Sequence, residues 1–282
     1  MSETKSQTLS GVAETSLITL YLRATESQRP DALIKDEKAM ALVARMGSDV
    51  TIRDSIERIK RFPMSDLNIA ATILRSCELD RYVRDFLVRQ SKAVVVHVGC
   101  GLDTRFERVD NGQVEWYDLD LPEVIELRQK LIGVEGKRYH LLGCSVLDSA
   151  WLEAVEVHQP RPCLFLAEGV LMYLEGAQVK SLVLKLRDRF PGAELAFDAF
   201  NPFHVWTNTR LYSKKKLGAP LHWGIWHGQE LECWGADIRL LDEWGWLDQP
   251  EPRLIKFRRL RGIPLIGRLM RIYHFQLGEA AG

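Results

Sequence analysis

Several protein classes are excluded by what the sequence lacks. No stretch approaches the roughly 18 consecutive apolar residues of a membrane span. The opening segment MSETKSQTLSGVAETS has no basic region followed by an apolar core, so no signal peptide is expected. There is no charge of one sign to exploit: 38 Lys and Arg balance 38 Asp and Glu. That balance gives no overall electrostatic case for a nucleic-acid or membrane partner. The five cysteines, Cys77, Cys100, Cys144, Cys163 and Cys233, are odd in number and form no C-x-x-C pair. They read as reduced cytoplasmic thiols, with neither a disulfide frame nor a metal site expected. No internal repeat or low-complexity segment is present.

What is there is an ordinary globular composition, 46% hydrophobic and 27% charged, in 282 residues. That is enough for one elaborated α/β domain. Residues 1–10 are polar and expected to fray. From Thr15 to Gln90 apolar residues recur at three- and four-residue spacings, which predicts helices, with Asp31 and Asp66 as N-caps. At Ala93 the texture changes. AVVVHV, VEWYDLD, RYHLLGCS, CLFLAEG and AELAFDAF read as strands, separated by the helical stretches LPEVIELRQKLIG, DSAWLEAVEVH and GAQVKSLVLKLRDRF. This alternation predicts an α/β fold with a parallel sheet. After Phe200 the period weakens and an insertion is expected, followed by LIKFRRL and LMRIYHFQLG as closing strands. The expected organisation is a helical cap over 1–92, an α/β core over 93–200, and an insertion with closing strands of the same domain over 201–282.

The first predicted strand runs into VGCGLDTR, which contains Gly99-x-Gly101. A dinucleotide fingerprint would place its third glycine at position 104, where this chain has Thr104. There is no GK[ST], and Asp103 would repel a pyrophosphate. The loop therefore suits a ligand without phosphates. The next strand ends in Asp118-Leu119-Asp120, where an acidic residue accepts hydrogen bonds from ribose hydroxyls. A nucleoside without phosphates suggests S-adenosylmethionine. The plain alternative is a tight turn followed by a solvated Asp. His97 reads as a satisfied core histidine and Cys100 as a small space-filler.

VGCGLDTR, YDLDLPEV and LFLAEGVLMYL, in this order and spacing, resemble the leucine carboxyl methyltransferase family. More closely, the stretch from Arg23 to Phe200 resembles its small bacterial branch of polyketide-type O-methyltransferases. The resemblance implies a class I methyltransferase fold: a seven-stranded, mainly parallel sheet with an antiparallel last strand and an N-terminal helical cap. It implies S-adenosylmethionine as donor, S-adenosylhomocysteine as product, and a carboxylate oxygen as the usual acceptor. By matching motif it implies that Gly99 and Gly101 form the cofactor loop and that Asp120 binds the ribose. Glu168 would sit beside the cofactor and Tyr173 near the reacting centre. Lys35 and Arg75 would hold the donor's amino-acid carboxylate. Arg105, in the family's T-R element, would be structural or close to the cofactor. One departure stands out. Relatives commonly carry Asp where this chain has Ser145, within Gly143-Cys144-Ser145-Val146-Leu147-Asp148. Ser145 accepts a hydrogen bond from the adenine amino group more weakly than Asp would.

A carboxylate acceptor, with a pKa near 4, is already ionised at neutral pH and needs no general base. A phenol, near 10, would want one, and His204 and Tyr173 are the nearest candidates. The acceptor is expected to be a small, largely apolar metabolite, free or bound to a carrier protein. Two alternatives stay open: a non-catalytic binder of the cofactor, and a protein C-terminal carboxyl methyltransferase. Without the resemblance, Lys35 and Arg75 read as solvated helix faces, and Glu168 as the structural partner of an Arg. Trp206, Trp223 and Trp226 either belong to the core or line the acceptor pocket. The basic run Arg253, Lys256, Arg258, Arg259, Arg261, Arg268 and Arg271 reads as the solvated side of strands, or as a dock for an acidic carrier.

Overall fold

The computed structural model of the protein describes residues 11–46, 57, 59, 64–133, 136–215 and 219–279. The polar start at 1–10 lies outside that set. Seven strands form one sheet: β1 Val94–Val98, β2 Glu115–Asp120, β3 Tyr139–Gly143, β4 Cys163–Ala167, β5 Ala193–Phe200, β6 Ile238–Gly245 and β7 Met270–Leu277. Their order is β3-β2-β1-β4-β5-β7-β6. Pairing is parallel from β3 to β5, and β7 runs antiparallel to both β5 and β6. The predicted α/β class and mainly parallel seven-stranded sheet with a reversed last strand are both found.

The helices named below are α1 Gly11–Ser27, α2 Glu37–Met46, α3 Asp66–Arg89, α4 Arg105–Val109, α5 Pro122–Leu131, α6 Ala150–Glu156, α7 Gly176–Arg189 and α8 Pro202–Lys215. Central β1 is buried at every position, because helices cover both faces of the sheet. Strand residues alternate between two cores. Val94, Val96, Phe165 and Phe197 meet α6 and α7 on one face, through Trp151, Val179 and Leu186. Val95, Leu164, Leu166 and Ala196 meet Leu79, Val83 and Phe86 of α3 on the other. A third core joins Leu17, Leu20 and Ala24 of α1 and Leu42 of α2 to Leu102 and Leu131.

Three local expectations are corrected. Asp31 caps nothing: it lies in a turn, and Asp36 caps α2 by accepting the Ala39 N–H at 2.9 Å. Pro30 holds the preceding stretch out of helix. Ser65 caps α3, accepting the Asn68 N–H at 3.3 Å, and Asp66 serves as a first-turn acid. LIKFRRL is not a strand but a helical turn, Ile255–Arg258, and the missing strand is β6. As an edge strand, β6 carries Arg239, Asp242 and Glu243 and an irregularity between Leu240 and Asp242, which diluted its apolar signal. The expected insertion after Phe200 begins with α8.

Candidate active site

The register of β1 assembles the site. Val98 lies level with Leu119 of β2 and Ala167 of β4. The next residue on each chain is therefore Gly99, Asp120 or Glu168. This is the topological switch point of an open α/β sheet, where ligands bind beyond the carboxyl ends of the strands. The cavity there has a volume of about 380 Å3.

Gly99 and Gly101 adopt φ +64° and +49°, a region that disfavours side chains. A Cβ at Gly99 would sit 2.2 Å from Val170 Cγ2, and one at Gly101 would sit 2.9 Å from Ser16 Cβ. The loop is thus pressed between the β4 loop and α1. The Gly99 N–H donates to Leu119 O at 2.7 Å, and Arg128 donates to Gly101 O at 3.0 Å.

Asp120 accepts the N–H groups of Gly101 at 2.8 Å and Leu121 at 2.7 Å. Burial pushes its carboxyl above the ordinary 3.8, and these backbone donors offset only part of that rise. Asp118, its near neighbour, is consumed elsewhere: it accepts from Arg128, Tyr139 and the Trp116 indole. Of the two acids, only Asp120 lines the cavity.

Glu168 lines the cavity and is also an arginine partner. It accepts from Arg75 Nε at 3.0 Å, Ser76 Oγ at 2.8 Å and Arg105. Burial raises its carboxyl, but Arg75 and Arg105 outweigh burial and hold it down to about 2. Arg75 also bonds Asp198 at 2.8 Å. Arg105 bonds Asp80 at 2.6 Å and Asp103 at 3.0 Å. Arg108 joins Asp36, Asp80 and Asp103, and Arg23 joins Asp36 at 3.0 Å and the Leu102 carbonyl at 2.9 Å. Buried ion pairs persist only with good geometry and added hydrogen bonds, and removing one member strands the rest. This lattice ties α1 and α3 to the loop after β1. Asp103 does not act as a free repelling charge. Burial raises its carboxyl, and Arg105, Arg23 and Arg108 more than reverse the effect.

Gly99, Gly101, Asp120, Ser145, Glu168, Arg75 and Tyr173 are brought together around one cavity. Ser145 Oγ accepts the Leu147 N–H at 3.2 Å, while Asp148 turns back onto the Ser145 N–H at 3.2 Å. Lys35 and His204 do not join the group. Lys35 is exposed and donates to the Ser27 and Arg29 carbonyls at 3.1 and 3.2 Å. His204 packs its ring 4.5 Å from that of Phe200, outside the cavity lining. His97 is buried against Arg105 at 3.2 Å, and Cys100 is buried with its thiol pushed far up by desolvation.

Of the two readings of Trp206, Trp223 and Trp226, the core one holds for Trp223 and the pocket-lining one for none of the three. Trp223 is core, 5.8 Å from the Phe197 ring, while Trp206 is half exposed. The lining after β4 and β5 is instead Val170, Met172, Tyr173, Leu174, Phe200 and Ala219. Sequence reasoning also missed Thr15, Ser16, Thr19 and Arg23, which line the cavity from α1. Their signal was a polar stripe at helical spacing beside the apolar Leu17, Ile18, Leu20, Tyr21 and Leu22. Of the basic run only Arg271 lies on a strand, β7, and the rest stands on turns and short helical stretches. Arg253 pairs with Glu26 and Glu251, and Arg268 and Arg271 pair with Glu243.

The leucine carboxyl methyltransferase model matches residues 16–186. The chain is 35% identical, over 86% of both sequences, to the tetracenomycin polyketide synthesis O-methyltransferase TcmP of Streptomyces glaucescens. It is 30% identical to the S-adenosyl-L-methionine-dependent methyltransferase dpfgK of Gibberella zeae, covering 80% of this chain and 79% of the relative. Among solved structures, a DUF574 family protein from Streptomyces avermitilis shares the fold with a TM-score of 0.56 at 14% identity, over 93% of this chain and 96% of that one. With the family model spanning more than half of its length, the chain belongs to the leucine carboxyl methyltransferase family and is an S-adenosylmethionine-dependent O-methyltransferase.

Proposed function

We propose that this enzyme methylates a carboxylate oxygen of a small, largely apolar metabolite of polyketide type. The observation that carries the reading is the composition of the cavity wall. Its end after β4 and β5, taken as the acceptor end, is apolar and its titratable groups supply no base. His97 is spent on Arg105, Cys100 is locked as a thiol, and burial raises the Tyr173 phenol. An acceptor that is already ionised needs none of them. The similarity to a polyketide O-methyltransferase supports the substrate class.

The residues fit the cofactor. Asp120 is buried with backbone donors alone, and two ribose hydroxyls would complete its shell. Asp103 and Glu168 are balanced by arginines, while Asp120, bonded by backbone donors, keeps a negative charge in the lining that suits a ligand of net positive charge. When bound, S-adenosylmethionine supplies an electrophilic methyl on its sulfonium. The chain's own part is to bind, align and exclude water. Asp120 would hold the nucleoside, Gly99 and Gly101 would let the backbone approach it, and Ser145 would accept from the adenine. Arg75, held by Glu168 and Asp198, presents a cation for the amino-acid carboxylate. Tyr173, with Met172 and Phe200, packs the acceptor. Alignment of this kind supplies about 7–11 kcal/mol without a triad or a metal. All five cysteines are free, which supports a reducing, cytoplasmic setting.

Calorimetry tests the reading. S-adenosylmethionine and S-adenosylhomocysteine should bind the wild type and bind Asp120→Ala far more weakly. Apolar carboxylic acids should then release S-adenosylhomocysteine. Equal binding by wild type and Asp120→Ala would overturn the cofactor assignment. Turnover of phenols but not of carboxylic acids would overturn the acceptor.

A further inference from the structure

Net charge is zero over the chain, but not over one face of the fold. Ile255 to Leu265 reads IKFRRLRGIPL, with four cations and no acid. Ten of these eleven residues are exposed, Arg258 being the exception. Among the described residues, ten large apolar side chains are exposed, and five of them lie here: Ile255, Phe257, Leu260, Ile263 and Leu265. Two more, Phe203 and Trp206, stand on α8. The two segments are joined. Asn201, just before α8, donates its side-chain amide to Leu265 O at 3.2 Å and its backbone N–H to Leu269 O at 3.1 Å. The projection is anchored from beneath by Leu254, Ile266 and Leu269, which pack with Trp246 and Met270. Its outward side chains are therefore held out by a packed base.

Water-facing apolar groups in this number cost free energy unless something covers them. A second copy meeting the same face about a twofold axis would set these cations against one another. An anionic bilayer satisfies both halves of the pattern. Aliphatic and aromatic side chains enter the acyl boundary, and Lys and Arg meet the headgroups. Position agrees as well. Val205 on the inner side of α8 packs with Met172, Leu221, Tyr173 and Phe200, so the exposed side of α8 backs the acceptor end of the cavity.

We propose that residues 255–265, with Phe203 and Trp206, dock the enzyme peripherally on an anionic lipid surface, from which an apolar acceptor reaches the cavity. The docking stands on the surface alone. Only the delivery role rests on the acceptor reading above, and vesicle binding is measured without turnover.

The test is co-sedimentation of the full chain with vesicles of phosphatidylcholine alone or mixed with phosphatidylglycerol. Binding is expected to the mixed vesicles, to be weak on phosphatidylcholine alone, and to be released by salt. The triple variant Lys256→Glu, Arg259→Glu, Arg261→Glu should lower partitioning by about a hundredfold or more. Phe257→Asn with Ile263→Asn should also release the protein. Both variants should keep wild-type S-adenosylmethionine affinity, which shows that they fold. Three results would overturn the proposal: no wild-type binding to anionic vesicles, binding unmoved by the triple variant, or capture of an acidic carrier protein by this face without vesicle binding.

Discussion

Thr104 Oγ1 donates to Asp36 Oδ2 at 2.6 Å, across 68 residues of chain. Thr104 occupies the place where a dinucleotide loop would keep a glycine for helix packing. Here that position bonds the cap to the cofactor loop instead. Asp36 also receives Arg23 and Arg108, and it caps α2. Thr104→Val keeps the volume and removes the donor. The expected cost is about 1.5–3 kcal/mol, that of a hydrogen bond to a charged group. Urea denaturation should show it, and donor affinity should fall too, because α1 forms one wall of the cavity.

Asp120→Asn should weaken S-adenosylmethionine binding by roughly 10- to 150-fold, the loss of one charge-assisted bonding site. The pH dependence follows from the raised carboxyl. Ribose hydroxyls prefer the ionised form, so wild-type affinity should fall as pH drops through a pKa lying above the ordinary 3.8. Calorimetry of Asp120→Asn over the same range should be flat.

Lys35→Ala should leave donor affinity within about twofold of wild type, as for a solvated surface position. The ammonium holds the Ser27 and Arg29 carbonyls at the end of α1 and does not line the cavity. A tenfold loss by calorimetry would return Lys35 to the donor site.

His204→Ala should leave turnover of a carboxylic acid unchanged, and the wild-type rate should be flat across neutral pH. A carboxylate acceptor is fully ionised there. A rate that rises toward the acceptor's own alkaline pKa would instead mark a phenol.

Glu194 on β5 accepts from His274 on β7 at 2.7 Å and from Arg89 of α3 at 2.8 and 3.0 Å. Burial raises this carboxyl, and those two partners more than reverse it, holding it at about 2. A lowered carboxyl stabilises the fold fully above its unfolded pKa of about 4.3. That contribution, at most about 3 kcal/mol, is lost as pH falls from there toward 2. Glu194→Gln should flatten the acid limb of a stability-versus-pH curve.

The sequence by itself determined the sheet and the strand-end residues. An apolar run ending in Gly99-x-Gly101, and a second strand ending in Asp120, are local patterns, and parallel register then sets Gly99, Asp120 and Glu168 side by side. The edge strand β6 escaped because its charges face water and leave little period to read. Contacts between distant segments were decided only by the tertiary structure. Glu168 meets Arg75 and Arg105 from 93 and 63 residues away, so its pairing and its role as cavity wall are the same fact. Thr15, Ser16 and Thr19 entered the wall because α1 folds over Leu102. Lys35 and the tryptophans turned away for the same reason: backbone path and packing, not residue type, aim a side chain. Charge behaved likewise. The total of zero is a property of composition, while the basic, apolar run at 255–265 becomes an exposed face because Leu254, Ile266 and Leu269 pack beneath it.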